Sequence, residues 1–374
     1  MDLLEIRQQI DAVDRQLIAL FEERMKLCHD VAEYKIETGK KIFDRQREQE
    51  KIAAVRQMAG DDFNAMGAQE LLELLMSLSR KMQYRMLSEH GTAGKLPFIA
   101  VDALDTEHAR VVFQGAEGAY SQIATRKFFG EGVNAFHVDT FRDAMRAIEE
   151  GSADYAVLPI ENSTAGIIRE NYELLVEFEH YIVGEITIPI EHCLLVVPGT
   201  KEEQIRSIYS HPQSLMQSAQ FLNARNWQQI SMQNNAFAAR KVAEDKDPSQ
   251  AAIASDLAGQ TYGLEVLRRG INQSDTNSTR FIVVTNQKIF CRNASRITVC
   301  FEVPHESGSL YHMLSHFIFN HLNLCRIESC PVSERDWEYR FFVDFDGNLA
   351  DSAVKNAIRG LREETRSLTI LGNY

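Results

Sequence analysis

A run of side chains suited to holding an oxygen-rich anion lies between an apolar stretch and a glycine: Val157-Leu158-Pro159-Ile160-Glu161-Asn162-Ser163-Thr164-Ala165-Gly166. Tyr155 to Leu158 reads as a strand ended by Pro159, and the following residues place a carboxylate, an amide and two hydroxyls on the next turn. Gly166 is expected to open an amphipathic helix through Phe178. In an open α/β sheet, ligands bind at the carboxyl ends of strands, and polar groups facing a helix N-terminus can hold an anion. A plain capping turn, with Asn162 or Ser163 satisfying orphan amides, explains one of these residues but not four in succession. The run reads as a site.

Three other strand ends carry comparable chemistry. Arg110-Val-Val-Phe-Gln-Gly115-Ala-Glu-Gly118-Ala-Tyr120-Ser121 is a strand entering a helix through two glycines. Its spacing is not GxGxxG and no acidic ribose-binding residue follows at the right distance, which excludes a dinucleotide site. Tyr209-Ser210-His211-Pro212-Gln213, with Gln217, offers a hydroxyl at a strand end and an amide on the next helix. His211 reads first as a turn residue before proline, and Ser210 alone as a cap. Asn277-Ser278-Thr279-Arg280-Phe281 brings two hydroxyls and a cation into a strand. There is no GxSxG elbow, so serine hydrolysis is not indicated.

The N-terminal region holds charge where packing is expected. Leu3, Ile6, Ile10, Val13, Leu17, Leu20, position 24, Leu27, Val31 and Tyr34 form a heptad stripe, and position 24 is Arg24. A guanidinium in a packed stripe needs an anion or a carboxylate partner. Arg7 lies beside the start of the stripe and Lys35 near its end; about 42 Å separates them on one straight helix, so they serve one site only if a second chain runs antiparallel. Asp44, Arg47 and Glu48 share a face of a second helix, which continues toward Ile52 and Val55. In a third helix, Ser79 and Gln83 interrupt the face Leu72, Leu75, Met76, Met86. Each has an ordinary explanation taken singly, such as Arg24 pairing with Glu48 or Gln83 at a wet rim. Together they describe a polar pocket inside a helical bundle.

The elements that must position these groups fall into three textures. Residues 1 to about 90 read as helix, contain no proline, and are punctuated by Gly39, Gly60 and Gly67. Gly91-Thr92-Ala93-Gly94-Lys95-Leu96-Pro97 reads as a linker. From about 109 to 286, apolar runs alternate with helical patterns: Arg110–Gln114, Ala135–Val138, Tyr155–Ile160, Ile182–Val197, Ile208–Ser210, Ala251–Ser255 and Arg280–Val284. That alternation is the α/β signature. From about 295 to 374 the order is strand, helix, strand, strand, helix, strand, which suits a small α+β ferredoxin-like domain.

Composition narrows the class. The 374 residues are 44% hydrophobic with a net charge of −13, enough for buried cores and unsuited to nucleic acid. No apolar run reaches the ~18 residues of a membrane span. The opening residues lack the basic and apolar regions of a signal peptide. Cys28, Cys193, Cys291, Cys300, Cys325 and Cys330 form no CxxC pair, which disfavours a zinc site or disulfide scaffold and points to a reducing cytoplasm.

Five blocks of the helical region, Leu3–Arg7, the stretch around Arg24, that around Lys35, Asp44–Glu48 and Ser79–Gln83, resemble the all-helical chorismate mutases. The resemblance implies a dimer of three-helix protomers and a Claisen rearrangement of chorismate to prephenate. Arg7 of one chain would join Arg24 and Arg47 of the other on the two carboxylates, with Asp44 and Ser79 at the substrate. Lys35 and Gln83 would flank the ether oxygen, and Glu48 would accept from the ring hydroxyl.

The Gly115–Ser121 turn, the Pro159–Ser163 loop, Tyr209–Gln213 and Thr279-Arg280-Phe281 resemble prephenate dehydratase, whose α/β unit has two lobes with the site between them. Prephenate would lose CO₂ and its ring hydroxyl with no cofactor or metal. The resemblance implies Arg280 as carboxylate anchor, Thr279 as first candidate donor to the leaving hydroxyl and Ser210 as second. Glu161, Asn162 and Gln217 would orient groups, with Glu161 a rival acid, and Ser121 and Ser163 would contact substrate.

Gly308-Ser309-Leu310 and Glu328-Ser329 resemble the phenylalanine-sensing pair of the ACT regulatory domain, although Cys330 stands where arginine is usual. Across its whole length the chain resembles the bifunctional chorismate mutase/prephenate dehydratases. A degenerate sensor that binds prephenate-like or amino-acid ligands is the alternative of a different class. A mutase joined to a dehydrogenase is a second alternative, disfavoured by the absent dinucleotide fingerprint.

Overall fold

The computed structural model describes residues 2–90, 96–332 and 338–374. Residues 91–95 of the expected linker lie outside the described residues. The chain divides into two compact units, one formed by Met1–Pro97 with Cys300–Leu368, the other by Phe98–Val299 with Thr369–Tyr374. Among the described residues no helix is long and apolar enough to cross a membrane.

The first unit opens with three helices. α1 (Leu3–Thr38) starts at Asp2, whose amide donates to Glu5 Oε2 at 3.2 Å, and ends at Gly39 in the left-handed region. α2 (Arg45–Met58) is capped by Asp44, and α3 covers Asp62–Glu89. Gly67 therefore lies inside a helix and does not punctuate one. The α1 stripe is not packed within the chain: Leu17 is 50% exposed and Leu20 62%, and Ile10, Val13, Leu27 and Val31 are exposed as well. α3 is the most enclosed of the three, packed against α1, α2 and the helix Ser352–Glu364. Its buried residues include Ser77, Ser79, Arg80, Lys81 and Gln83 beside Met76, Tyr84 and Met86.

The C-terminal order matches the expected one: Arg296–Glu302, helix Ser309–Phe319, Leu324–Pro331, Tyr339–Asp346, helix Ser352–Glu364, Ser367–Asn373. Leu324–Pro331 pairs antiparallel with Tyr339–Asp346 and, among the described residues, is the last strand on its side of the sheet.

Among the described residues the second unit holds strands of two large sheets, beside a small parallel pair formed by Ile99–Val101 and Ile289–Cys291. One large sheet runs Tyr181–Pro189, Ser278–Thr285, Tyr155–Asn162, Arg110–Gln114, Asn134–Val138, with the last three strands parallel and Ser278–Thr285 antiparallel to both neighbours. The other runs Glu265–Arg268, Cys193–Val196, Gln250–Ala254, Ser207–Ser210, Gln228–Ser231. The apolar run Ile182–Val197 is thus two strands, one in each sheet.

Two expectations around Pro159 are corrected. The strand continues through the proline to Asn162, because the parallel neighbour pairs only as far as Val157 and the antiparallel neighbour has a bulge between Arg280 and Phe281. A proline needs no ladder partner at such a place, and its carbonyl accepts from Asn171 Nδ2 at 2.6 Å. Gly166 opens no helix. With φ +83° it closes a hairpin that pairs Asn162 with Gly166 and Glu161 with Ile167, and the helix begins at Arg169.

Gly118 has a packing role. At φ +84°, a Cβ there would lie 2.5 Å from Ala258 Cα, and Ser255 Oγ donates to its carbonyl at 2.5 Å. The glycine lets the turn before the helix Tyr120–Phe129 touch the helix Asp256–Tyr262.

Candidate functional site

The helical region of the first unit brings part of the expected cluster together. Arg24 Nη1 donates to Ser79 Oγ at 2.6 Å and to Leu75 O at 3.1 Å, so α3 satisfies the guanidinium that interrupts the α1 stripe. Lys35 Nζ donates to Ile42 O at 2.6 Å. Burial pulls the Lys35 ammonium below the ordinary lysine range against the charges of Asp44, Glu48 and Glu363. Gln83 is buried, and its Oε1 has no hydrogen-bond partner among the described residues.

Other expected members are placed differently. Asp44 Oδ1 accepts from Arg47 N at 3.1 Å as a helix cap, and both side chains are exposed. Arg7 is exposed on α1, 17 residues or ~26 Å before Arg24, beyond reach of the cluster in its own chain. Glu48 does not pair with Arg24. Both its oxygens lie 2.5 Å from Arg80 Nη1.

Arg80 was not singled out from the sequence, although it stands between Ser79 and Gln83. Its Nε donates to Glu364 Oε1 at 2.8 Å, and His316 Nε2 lies 3.3 Å from Glu364 Oε2. Burial raises the Glu364 carboxyl, but His316 and Arg80 outweigh it and hold the group at about 2. A cavity of about 210 Å³ is lined by Phe43, Glu48, Arg80, Ser309, His312 and Glu364, among others. Gly308 is the N-cap of the helix that Ser309 opens, and Leu310 follows half-buried. Glu328 and Ser329 are not among that cavity's lining; as neighbours on a strand they face opposite sides, and Cys330 is buried.

The second unit contains a cavity of about 340 Å³ with walls from both sheets. Its lining includes Tyr120, Ser121, Asn162, His192, Gln217 and Thr279. The helices Tyr120–Phe129 and Asn235–Asp245 open on it, since Ala119 and Asn234, their N-caps, also line it. No lysine or arginine is among the described residues that line it.

Backbone groups fix how Asn162 is oriented. Its Oδ1 accepts from Thr164 N at 3.1 Å and Ala165 N at 2.9 Å, so its Nδ2 faces Ser278 O at 3.0 Å and Thr279 Oγ1 at 2.9 Å. Thr279 Oγ1 therefore accepts from Asn162, which leaves its own proton to donate elsewhere. Gln217 Nε2 donates to Thr164 Oγ1 at 2.6 Å and to Asn162 Oδ1 at 3.3 Å. Gln217 Oε1 lies 2.8 Å from His192 Nε2, and His192 Nδ1 lies 3.0 Å from the Tyr120 hydroxyl. Burial pushes the His192 pKa down. His192 and Tyr120 were missed from the sequence, where a lone histidine between two strands gives no signal.

Four expected contributors lie outside the cavity lining. Strand residues alternate between faces, so Thr279 and Phe281 face the cavity while Arg280 faces away, donating to Glu185 Oε2 at 2.6 Å and to the Tyr374 hydroxyl at 2.7 Å. Glu161 alternates with Asn162 in the same way and lies 4.0 Å from Arg280. Ser210 is fully buried and donates to Ile253 O at 2.7 Å. Ser163 Oγ accepts from Ser278 N at 3.0 Å and braces the hairpin. His211 lines the cavity, and its Nδ1 caps Gln213 N at 3.1 Å.

Known families match two separate stretches of the chain. Residues 6–84 match the chorismate mutase type II family, and residues 111–289 match the prephenate dehydratase family. The bifunctional chorismate mutase/prephenate dehydratase of Enterobacter agglomerans is 33% identical, over 100% of this chain and 95% of that protein. Among solved structures, the prephenate dehydratase of Arthrobacter aurescens, in complex with L-Phe, is 28% identical with a TM-score of 0.66, covering 71% of this chain and 89% of that one. GqqA, a quorum quenching acylase, is 30% identical with a TM-score of 0.66, covering 71% and 97%. The full-length match, with both family regions in order, places the chain in the family of bifunctional chorismate mutase/prephenate dehydratases, enzymes that join an isomerase and a lyase on one polypeptide.

Proposed function

We propose that the chain converts chorismate to prephenate in the helical region and prephenate to phenylpyruvate, CO₂ and water in the α/β cavity, with domains at 1–90, 109–286 and 295–374. The rearrangement breaks an ether bond as a carbon–carbon bond forms, without a covalent enzyme intermediate. Catalysis there is compaction plus stabilisation of charge on the ether oxygen. Lys35 and Gln83 serve that oxygen, Glu48 accepts from the ring hydroxyl, and Arg24 and Arg47 hold carboxylates. The exposed α1 stripe supports a partner helix from a second copy, which would bring Arg7 to the cluster.

In dehydration, the bond between the ring and its carboxylate breaks and CO₂ departs. The electron pair enters the ring as hydroxide leaves and takes up a proton from solvent. Thr279 is the donor toward that hydroxide. The observation that carries this role is the bond from Asn162 Nδ2 to Thr279 Oγ1, which directs the threonine proton away from Asn162. Threonine is a weak acid, so it stabilises the departing oxygen by hydrogen bonding and need not give up its proton. Two helix N-termini, with amides and hydroxyls, would receive the carboxylates in place of an arginine.

The C-terminal segment is proposed to be an ACT domain that binds phenylalanine, with Gly308, Ser309 and Leu310 at the helix start and Glu328 and Ser329 on the edge strand. An edge strand is open to pairing with a second copy. Calorimetry on the full chain should show saturable phenylalanine binding, and absence of heat at millimolar ligand would reduce the segment to a structural role. For the catalytic reading, purified chain is incubated with chorismate and no cofactor. Prephenate should appear and then phenylpyruvate; binding without turnover would instead identify a sensor.

A further inference from the structure

We infer that Arg80 is a positioning residue for the rearrangement, holding Glu48 from α3, and that Glu364 of the C-terminal segment holds Arg80 in turn. The inference rests on the proposed role of Glu48 as acceptor for the ring hydroxyl.

Arg80 is 7% exposed and lies between two carboxylates. One guanidinium edge meets both Glu48 oxygens through Nη1, and the other meets Glu364 through Nε at 2.8 Å and Nη2 at 3.3 Å. The Phe43 ring lies 5.0 Å from the guanidinium carbon. A planar fork held on two edges and one face has little freedom, which suits it to fixing a partner's position. A carboxylate has about four lone-pair positions, so Arg80 leaves Glu48 able to accept from a substrate hydroxyl.

The far end of the chain of contacts is equally enclosed. The Glu364 side chain is 6% exposed and meets His316, whose side chain is 2% exposed. His316 belongs to the helix that Ser309 opens, and Glu364 to the helix Ser352–Glu364. Gly360 allows these helices to meet, since a Cβ there would lie 2.4 Å from the His316 ring. Removing the Glu364 charge would leave Arg80 buried with one carboxylate, drawing it toward Glu48 and shifting both. The acceptor of the first reaction thus depends on a residue 316 positions later in sequence, outside the mutase region matched at 6–84.

The test measures mutase kcat and KM in full-length Glu364→Gln, Arg80→Met, Arg80→Lys, Glu48→Gln and the double variant Arg80→Met/Glu48→Gln. Dehydration of added prephenate reports correctly folded enzyme. Misplacement by about 1 Å can cost ~10² in rate, so Arg80→Met should lose roughly 10² in mutase kcat. Glu364→Gln should lose about tenfold with KM changed less than about threefold, and Arg80→Lys should recover part of the Arg80→Met loss. Because Arg80 acts through Glu48, Arg80→Met should cost less than about threefold in the Glu48→Gln background. Dehydratase turnover should stay at the parent value in all five. Parent mutase rates in Arg80→Met and Glu364→Gln beside an impaired Glu48→Gln, or fully additive losses, would overturn the positioning role. A Glu48→Gln variant at the parent rate would instead overturn the assignment of Glu48 itself, and the coupling with it.

Discussion

The two reaction regions handle anionic substrates in opposite ways. Around α1–α3, charge is answered by charge: Lys35 stands among Asp44, Glu48 and Glu363, and Arg80 joins Glu48 to Glu364. In the α/β cavity the described lining is neutral, and its order comes from amides and hydroxyls that hold one another, with backbone N–H groups fixing the first member. The difference follows from the chemistry. The rearrangement must stabilise oxygen charge that builds up within a compacted substrate, where a fixed cation is most useful. Dehydration releases CO₂ and water, and a fixed cation in salt-bridge contact with the ring carboxylate would stabilise the reactant that must lose it.

The largest expected effects test each region's central group. Thr279→Ala should reduce prephenate turnover by roughly 10²–10³ with mutase activity unchanged, since one donor to a developing oxyanion is worth about that much. Thr279→Ser keeps the hydroxyl and should retain more. Parent turnover in Thr279→Ala would return the donor role to another cavity hydroxyl, such as Ser121 or Tyr120. Lys35→Ala or Gln83→Ala should lower mutase turnover by a similar ~10²–10³ while added prephenate is still dehydrated. Loss of both activities in a folded variant would contradict separate sites.

The regions also differed in how far the sequence disclosed them. Charges on an apolar stripe are conspicuous, so Arg24, Lys35, Glu48, Ser79 and Gln83 could be picked out. Their partners could not, because Arg80 meets residues from distant segments. In the α/β unit most strands were readable to within a few residues, though Gln228–Ser231 and Glu265–Arg268 were not, and Asn162, Gln217 and Thr279 do meet. The parity of each strand was not readable. Glu161 with Asn162, and Thr279 with Arg280, are adjacent pairs of polar residues, and only one of each pair can face the cavity. Burial on both faces removes the polar–apolar alternation that would have decided between them. Ser210 and Ser163 looked like site hydroxyls, but they satisfy backbone groups of neighbouring strands, at Ile253 and Ser278.

Acid should distinguish the charged region from the neutral one. In the fold, His316 and Arg80 hold the Glu364 carboxyl at about 2, below the ordinary glutamate value of 4.5. A carboxylate with a depressed folded pKa contributes stability that is fully present above the unfolded value and is lost as pH falls through the folded one. That contribution, on the order of 3 kcal/mol, should fade between about pH 4.5 and 2. Unfolding followed by denaturant at stepped pH should show this acid slope in the parent and a smaller one in Glu364→Gln. Equal slopes would mean that the ion pairs do not outweigh the burial cost.

A smaller effect is expected at His192. It contacts Gln217 on one side and Tyr120 on the other, and does not touch Thr279 directly in the network described. His192→Phe should lower dehydratase kcat by roughly tenfold, as expected for a group linked to the donor only through Gln217 and Asn162. An unchanged rate would show that Thr164 and Asn162 suffice to hold Gln217.

The smallest effect is expected at Arg280, and it bears most directly on the contrast between the regions. If Arg280 bound a prephenate carboxylate, losing that charge-assisted bond would cost about 1.5–3 kcal/mol, or roughly 10- to 150-fold in KM. The structure instead turns the guanidinium to the opposite face, onto Glu185 and the Tyr374 hydroxyl, with Glu161 at 4.0 Å. Glu185 keeps a second cation, Arg296 at 2.8 Å, so Arg280→Gln does not leave that carboxylate without one. Prephenate KM and kcat in Arg280→Gln should therefore stay within about threefold of the parent, with the loss appearing as a lower melting temperature. A KM raised tenfold or more at unchanged melting temperature would restore Arg280 as the carboxylate ligand, and the α/β cavity would then resemble the helical site in relying on a cation.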